Sequence, residues 1–229
     1  MSFLDRIADL VYSYYPFFLE GLKNTLILTV TAFLMGLILG ILIAIGRVYG
    51  PKPLRLILAM YVELIRGTPM LLQLFIIYYA LPSIGITLDP LLAAFLGMGI
   101  NSAAYQSEYF RSSIKAVPKG QWEAALSIGM TPWQAVMYIV MPIAMRISLP
   151  ALTNELVYLL KYSSIAYFLT VVELVYAGKI IGAETFAYLE VYAIIAITYL
   201  VISLVITRSM KNLEKRIAIP GLIAPSARM

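Results

Sequence analysis

The stretch that decides the fold runs from Asn24 to Gly46 and reads NTLILTVTAFLMGLILGILIAIG, without a single charged residue. As an α-helix it would be about 34 Å long, which matches the roughly 30 Å hydrocarbon core of a bilayer. Gly36 and Gly40 stand four residues apart inside it, a spacing of small residues that lets membrane helices pack closely. We expect this pair to pack within the protomer, with a contact to a second copy as the alternative. The stretch therefore predicts a membrane-spanning helix.

The composition of the whole chain agrees with this prediction. Of its 229 residues, 62% are hydrophobic and 13% are charged, against roughly 25% charged residues in an ordinary soluble domain. A soluble domain of this size could not bury so much apolar surface, so composition indicates an integral membrane protein. The chain contains no Cys and no His. This excludes disulfides, thiolate metal sites and catalysis by histidine.

Further apolar segments follow the first one, separated by short stretches that carry the charges. Together they predict an all-α membrane protein with five transmembrane helices. The predicted spans cover residues 25–47, 55–81, 89–113, 147–170 and 186–208. Lys and Arg are concentrated after the first, third and fifth spans, which predicts an outer N-terminus and a cytoplasmic C-terminus. The net charge of +5 then reflects basic loops that face anionic lipid, and no nucleic-acid partner is needed.

The first twenty residues precede the first span. Asp5, Asp9 and Glu20 argue against a cleavable signal peptide, as does the length of the apolar run that follows. Apolar residues recur here at helical spacing and are followed by aromatic ones, which predicts an amphipathic helix on the outer interface. The predicted organisation is an outer-interface segment over residues 1–20, a transmembrane domain over 21–215 and a cytoplasmic tail over 216–229.

The segment between the third and fourth spans, about residues 116–142, is longer than a simple connection needs. Trp122, Ala125 and Gly129 fall on one helical face, which predicts a short helix. We expect Glu123 in the first turn of this helix, where a carboxylate suits the helix dipole. Gly129 then suits a left-handed C-terminal cap.

A second short helix is predicted after this turn. Thr131 and Gln134 have the spacing of a capping box, Pro132 suits the first helical position, and Pro142 is expected to end the helix. From the pattern alone, two interpretations stay open. The helix pair either packs under the transmembrane bundle or forms a docking surface for a partner.

The spacing in this segment resembles the EAA loop of permeases from ABC importers. The motif consists of Glu123-Ala124-Ala125, Gly129 after three residues, Ile139 after nine more, and Met141-Pro142 after one more. Met141 stands where the family pattern has Leu. The resemblance implies that this cytoplasmic loop couples the permease to a separate ATPase subunit. The implied coupling residues are Trp122, Glu123, Ala124, Ala125 and Gly129.

The resemblance extends over about residues 18–215 and is closest to permeases for polar amino acids. It rests on three stretches: Glu63–Pro69 followed by Gln73, Asn101–Tyr105 leading into Glu108–Arg111, and Asn154–Lys161 followed by Ser163-Ser164. It implies a type I ABC importer permease fold in a prokaryotic inner or plasma membrane. It also implies partners: ATPase subunits, an extracytoplasmic amino-acid-binding protein and a second permease copy, with a homodimer favoured. The chain carries no G-x-x-x-x-G-K-[ST] phosphate loop, so we expect no cofactor and no enzyme activity here, with ATP and Mg bound by the partner ATPase.

Charged residues inside predicted spans are costly and mark either function or an internal pair. In the fourth span, Asn154, Tyr158 and Lys161 share one helical face, and Glu155 and Tyr162 share the neighbouring one. This polar stripe either lines a path for zwitterionic amino acids, with Glu155 meeting an ammonium group, or satisfies other helices. The resemblance favours the path for Asn154 and Glu155. Lys161 suits a structural counter-ion better.

The second span carries Glu63 and Arg66 three residues apart, which predicts an intramembrane ion pair, with substrate contact as the alternative. Gln73 is expected on the same helical face, deeper in the span. Gly67 and Pro69 weaken the helix between them, so we expect a kink. The candidate path residues are Gln73, Asn101, Asn154, Glu155, Tyr158, Lys161, Tyr162 and Ser163.

Two other function classes compete with the ABC permease. A stand-alone secondary transporter or channel for small polar solutes is the main alternative, but no inverted repeat stands out in the sequence. A membrane-embedded enzyme is disfavoured because no two carboxylates share a helical face in a span. Within the permease family, members that take cationic amino acids often have an acid where this chain has Tyr162. The resemblance therefore favours a neutral polar substrate.

Overall fold

The computed structural model describes residues 2–217. Met1 and residues 218–229, which hold most of the predicted cytoplasmic tail, lie outside the described residues. Between residues 2 and 217 the chain is helical and contains no strand. The α-helices are α1 (Phe3–Tyr49), α2 (Lys52–Arg66), α3 (Met70–Phe75), α4 (Pro90–Ala116), α5 (Lys119–Ser127), α6 (Pro132–Ala135), α7 (Met141–Tyr162), α8 (Leu174–Thr185) and α9 (Tyr188–Ile217). Ile76–Ala80 and Val136–Val140 are π-helical turns, and Leu81–Ile84 and Ser163–Leu169 are 3₁₀ turns.

Helix α1 runs without a break for 47 residues and passes through Pro16. Ser2 starts it with a capping box, in which the Ser2 amide donates to Asp5 at 2.8 Å and the Asp5 amide donates to Ser2 at 3.2 Å. The first twenty residues are therefore part of the same continuous helix as the first predicted span and not a separate helix. Leu10 packs there in an apolar cluster with residues of α8 and α9. The location of the first twenty residues on the outer interface stays a prediction.

Three helical stretches within residues 2–217 are long and apolar enough to cross a membrane: Phe3–Tyr49, Pro132–Leu169 and Tyr188–Ile217. Lys52–Arg66 and Met70–Ile84 add a fourth if they form one broken span. The predicted third span corresponds to α4, which has 27 residues but is not among these apolar stretches. The five-span topology therefore stays a prediction.

Helix α4 lies in the interior of the bundle, where protein rather than lipid surrounds it. Its polar residues Ser102 and Gln106 are fully buried. A Cβ atom on Gly36 would come within 2.5 Å of the Gln106 amide nitrogen, and one on Gly40 within 2.9 Å of the Gln106 Cβ. The predicted role of this glycine pair in packing within the protomer is confirmed. It lets α1 approach α4 closely enough to enclose polar side chains between them.

The predicted kink in the second span is a break of 102° between α2 and the helical stretch that begins with α3. Gln73 stabilises this break. Its side-chain amide donates to the Ile65 carbonyl at 2.7 Å and to the Thr68 carbonyl and hydroxyl at 3.1 and 2.8 Å. The prediction that Gln73 shares a helical face with Glu63 and Arg66 is wrong, because it assumed a continuous helix.

The turn between α5 and α6 agrees with the sequence in most respects. Gly129 has a φ of +87°, and the Met130 amide donates to the Ala125 carbonyl at 3.2 Å, as in a glycine-capped helix end. Thr131 and Gln134 form the predicted capping box. The expected place of Glu123 in the first turn is wrong. Pro118 is the cap residue, so α5 begins at Lys119 and Glu123 lies in its second turn.

Pro142 does not end a helix, contrary to the prediction. Helix α6, the π-helical turn, α7 and the following 3₁₀ turn form one continuous helical stretch, Pro132–Leu169. Proline lacks an amide hydrogen and its ring crowds the preceding turn. The wider π-helical turn Val136–Val140 directly before it relieves this conflict. As a result, the second of the two short helices predicted within residues 116–142 is the beginning of the helical stretch that contains the fourth predicted span.

Candidate functional site

A cavity of about 680 Å³ lies where the break of the second span meets α4 and α7. Three parts of the chain line it with polar or aromatic groups. Residues 66–71 come from the break, α4 contributes one asparagine and two tyrosines on a single face, and α7 contributes one carboxylate and two tyrosines. The lining residues are Arg66, Gly67, Thr68, Pro69, Met70, Leu71, Asn101, Tyr105, Tyr109, Glu155, Tyr158, Leu159, Tyr162 and Ile165. The cavity is therefore polar and aromatic, although it lies among helices that carry long apolar runs.

Glu155 is buried in the cavity wall with its carboxylate held in a fixed orientation. One oxygen accepts a hydrogen bond from the Ser102 hydroxyl at 2.7 Å and the other from the Tyr109 hydroxyl at 3.2 Å. The Gln106 amide donates in turn to the Ser102 hydroxyl at 2.9 Å and to the Phe33 carbonyl at 3.1 Å. Because Ser102 accepts from Gln106, its own hydrogen points to Glu155.

Arg66 provides the positive charge of the cavity. It is the last residue of α2, and its guanidinium carbon lies 5.1 Å from the centre of the Tyr105 ring, within the range of a cation–π contact. The predicted ion pair with Glu63 is wrong: within residues 2–217, neither residue takes part in an ion pair. The helix ends at Arg66 and turns its side chain to the cavity. One carboxylate and one guanidinium therefore face the same cavity.

The structure divides the predicted path residues into two groups. Asn101, Glu155, Tyr158 and Tyr162 line the cavity, and the rings of the two tyrosines stack with their centres 6.1 Å apart. The remaining four lie elsewhere. Asn154 is exposed outside the cavity, Lys161 lines a smaller cavity beside α9, Ser163 is fully buried, and Gln73 lies behind Asn101, whose amide donates to it at 2.9 Å.

Sequence reasoning missed Ser102, Tyr105 and Tyr109 of α4. A signal for the tyrosines was present, because Asn101, Tyr105 and Tyr109 follow one another at intervals of four and share a helical face. Ser102 has no such signal. Its role depends on Glu155 approaching from another helix, 53 residues further along the chain.

Residues 119–141, which we call the coupling segment after the role that the sequence resemblance implies, expose large apolar side chains where the cavity holds polar ones. Trp122 is half-buried and stacks on Tyr49 at the end of α1, with the ring centres 6.4 Å apart and the planes 17° apart. Glu123 and Ala124 are exposed, whereas Ala125 is only 3% exposed and packs inwards. Large apolar side chains are exposed nearby: Ile128 (75%), Tyr138 (70%) and Trp133 (59%).

Residues 36–219 match the family described as binding-protein-dependent transport system inner membrane component. The chain belongs to this family. It is thus an ABC transporter permease, a multi-pass protein of the bacterial inner membrane, as the sequence resemblance predicted. The match includes the break, the cavity and the coupling segment.

Three curated relatives resemble this permease over most of its length. The L-cystine transport system permease protein TcyB of Bacillus subtilis is 39% identical, over 91% of this chain and 90% of the relative. The glutamine transport system permease protein GlnP of Escherichia coli K12 is 35% identical, over 89% and 94%. The arginine transport system permease protein ArtQ of Bacillus subtilis is 36% identical, over 88% and 93%.

Solved structures share the fold of this permease. A crystal structure of an amino acid ABC transporter with histidines superposes with a TM-score of 0.85 at 38% identity, and the match covers 94% of this chain and 99% of that one. An inward-facing structure of the MetNI methionine ABC transporter superposes with a TM-score of 0.74 at 19% identity, over 90% and 99% of the two chains. The all-helical fold is therefore that of ABC importer permeases.

Proposed function

We propose that this permease is the translocation subunit of an ATP-driven importer for polar amino acids. The observation that carries the proposal is the joint presence of Glu155 and Arg66 in one cavity. An α-amino acid presents one ammonium and one carboxylate group, so one acid and one base complement it. The names of the curated relatives, which refer to cystine, glutamine and arginine transport, support the same substrate class.

Within this proposal, Glu155 receives the ammonium group and Arg66 the carboxylate. Charge-assisted hydrogen bonds to both groups are stronger than neutral ones. The side chain of the substrate would then lie in a space lined by Tyr105, Tyr158 and Tyr162. The lining contains no second acid, and a cationic side chain left unpaired among membrane helices would be costly. We therefore propose a neutral polar or aromatic-tolerant substrate in preference to arginine or lysine.

The active form is proposed to contain a second permease copy. Asn154 and Lys161 are exposed on α7, in a stretch apolar enough to span the membrane. Such side chains do not face lipid and instead face a protein neighbour or a water-filled path. In a homodimer, the faces of α7 that carry Asn154 and Lys161 would lie opposite each other across the path. Both copies would then have these polar side chains away from lipid.

The coupling segment is proposed to dock the ATPase subunit, which binds ATP and Mg. Glu123 and Ala124 are exposed, and the nearby apolar side chains form the kind of exposed apolar surface that marks protein interfaces. The direct helical continuation into the fourth span makes the segment a rigid lever. An extracytoplasmic amino-acid-binding protein delivers the substrate on the opposite side, and lipid surrounds the bundle.

The orientation belongs to the same proposal, with the N-terminus outside and the coupling segment in the cytoplasm. The chain has no cysteine, so single introduced cysteines report their side cleanly. Thr87→Cys in the loop before α4 should react with an impermeant thiol reagent added to intact cells. Ser127→Cys at the end of α5 should react only after permeabilisation. Reaction of Ser127→Cys in intact cells contradicts the orientation.

Co-purification and ATP hydrolysis test the function. The permease, expressed with the ATPase, should retain the ATPase through detergent extraction. In reconstituted vesicles, the binding protein loaded with L-cystine, L-glutamine or another neutral polar amino acid should raise ATP hydrolysis above the basal rate. Purification without an ATPase, or hydrolysis that no loaded binding protein stimulates, contradicts the proposed function.

A further inference from the structure

Three charged side chains form a compact cluster where the end of α1 meets α4. Glu108 accepts from the Arg47 guanidinium at 2.8 Å. Arg111 also donates to Glu108 through two nitrogens, at distances of 2.6 to 2.9 Å. All three side chains are largely shielded from solvent, with exposed fractions of 11% for Arg47, 17% for Glu108 and 27% for Arg111. A carboxylate held by two arginines in such shielded surroundings is a strong and geometrically specific contact.

The cluster lies between the two functional regions. Arg47 is two residues before Tyr49, whose ring stacks on Trp122 of the coupling segment. Glu108 directly precedes Tyr109, whose hydroxyl donates to the cavity carboxylate of Glu155. A continuous series of contacts therefore connects α5 to the end of α1, then to α4, and then to the cavity wall.

Apolar packing beneath the cluster joins the same elements. Phe110 and Ile114 of α4 lie in one buried cluster with Ala44 of α1 and with Val136 and Val140 of the coupling segment, and both Trp122 and Tyr109 pack against it. Because apolar contacts are not directional, this packing holds the helices together without fixing how far one lies along the other. Within α4, the bidentate Arg111 contact orients the Glu108 carboxylate. The Arg47 contact then fixes Glu108, and hence the turn of α4 that carries Tyr109, relative to the end of α1.

We propose that Glu108 is a positioning residue that transmits movement of the coupling segment to the cavity through Arg47. The inference rests on the proposed function, because it assumes that the ATPase moves the coupling segment. Glu108 touches neither the ATPase surface nor the cavity. Its loss therefore uncouples ATP hydrolysis from the cavity while it leaves assembly in place.

The test measures ATP hydrolysis by the complete complex in reconstituted vesicles, with and without the binding protein loaded with L-glutamine or L-cystine. Glu108→Gln keeps the shape of the side chain but removes the charge that both arginines contact. Basal hydrolysis and ATPase co-purification should stay within about twofold of wild type. The ratio of stimulated to basal hydrolysis should fall about tenfold, the scale of one hydrogen bond to a charged group. Glu108→Asp should restore much of the ratio.

Arg6→Met is the matched control. It breaks the ion pair of Arg6 with Glu190 (3.2 Å) at the other end of α1, far along the chain from the coupling segment, and should leave the ratio unchanged. A second measurement combines Glu108→Gln with Tyr49→Leu. Because both residues act in one series of contacts, the double variant should lose little more than the worse single variant.

Three outcomes overturn the inference while the proposed function stands: an unchanged ratio in Glu108→Gln, an equal loss in Arg6→Met, or losses that multiply in the double variant. If the wild-type complex shows no stimulation with any loaded binding protein, the proposed function itself is wrong and this inference falls with it.

Discussion

The cavity and the coupling segment differ in the kind of side chain that each places in an unfavourable environment. The cavity places charged side chains among apolar helices, and the coupling segment places large apolar side chains at the surface. The cavity holds Glu155 and Arg66 among membrane helices, where charges are costly. The coupling segment exposes Ile128, Trp133 and Tyr138 at the end of the bundle where the predicted topology places water. By contrast, α1 between Asn24 and Gly46 exposes apolar side chains such as Leu34, Ile38 and Leu42, the usual pattern of a membrane helix.

The two regions also differ in how their polar groups are satisfied. In the cavity, Glu155 depends on Ser102 and Tyr109, which belong to another helix. In the coupling segment, Thr131 and Gln134 satisfy each other within one turn. A long-range network suits the proposed substrate site, whereas a locally satisfied segment suits the proposed docking of a partner on its outer surface. We expect substitutions in the two regions to impair different steps.

Glu155→Gln should have the largest effect on transport. The glutamine keeps the shape and can still bond Ser102 and Tyr109, but it offers no charge to an ammonium group. Uptake of all substrates should fall by about 10- to 100-fold, since a hydrogen bond to a charged group contributes about 1.5–3 kcal/mol. Radiolabelled uptake into vesicles measures this, with ATPase co-purification unchanged. Glu20→Gln is the control, because Glu20 is exposed on α1 and does not line the cavity, and an equal loss in it would remove the special role of Glu155.

Glu123→Lys should impair assembly and leave the cavity intact. Charge reversal at an interface places like charges opposite each other and costs several kcal/mol, so the affinity for the ATPase should fall at least about tenfold. Pull-down titration of the purified permease with the ATPase measures this affinity. Asp9→Lys, an equally exposed reversal in the first turns of α1, should not change it. Normal assembly of Glu123→Lys with normal stimulated hydrolysis would contradict the docking role.

Substitution of Gly129 can be compared with substitution of Gly120, which lies in the same segment. A Cβ atom would meet nothing within 4 Å at either position, but only Gly129 has a positive φ, of +87°. Gly129→Ala should therefore destabilise the turn by about 1–2 kcal/mol, and Gly129→Val by more. Gly120→Ala, within helix α5, should be neutral or stabilising. Hydrogen exchange of the α5 amides should show faster opening in the Gly129 variants only, and equal rates in both alanine variants would contradict the argument.

Tyr162→Asp should have the smallest effect, a change in preference rather than in rate. A second acid in the cavity should shift competition a few-fold towards arginine over glutamine, since a half-exposed ion pair contributes about 0–1 kcal/mol. Tyr192→Asp is the control, because Tyr192 is similarly exposed but lines a different cavity. Wild-type uptake of arginine well above that of glutamine would contradict the proposed preference for neutral substrates.

Local rules predicted the features that depend on local chemistry. The turn at Gly129, the capping box of Thr131 and Gln134, and the weak point at Gly67 and Pro69 all follow from backbone preferences of a few residues. The EAA spacing and the other motifs also led to the correct family. These signals are carried by short segments and need no knowledge of the neighbouring helices.

Most of the features that were missed depend on how helices meet, whereas the misplaced start of α5 is a local error. Arg66 contacts the Tyr105 ring of α4 instead of Glu63. The break placed Gln73 behind the cavity, and no periodicity within one helix indicates a 102° bend. Pro142 was expected to end a helix because the π-helical turn that accommodates it was not recognised. Ser102 became part of the site only through the approach of α7.

Uptake by proteoliposomes tests the central claim most directly, namely that this permease moves a polar amino acid through its cavity under the control of an ATPase at the coupling segment. The complete complex, with enclosed ATP and the loaded binding protein outside, should accumulate a neutral polar amino acid. Glu155→Gln should abolish most of this uptake while it retains the ATPase. Uptake by the permease alone, driven by an ion gradient without ATP or binding protein, would contradict the account and indicate a stand-alone transporter.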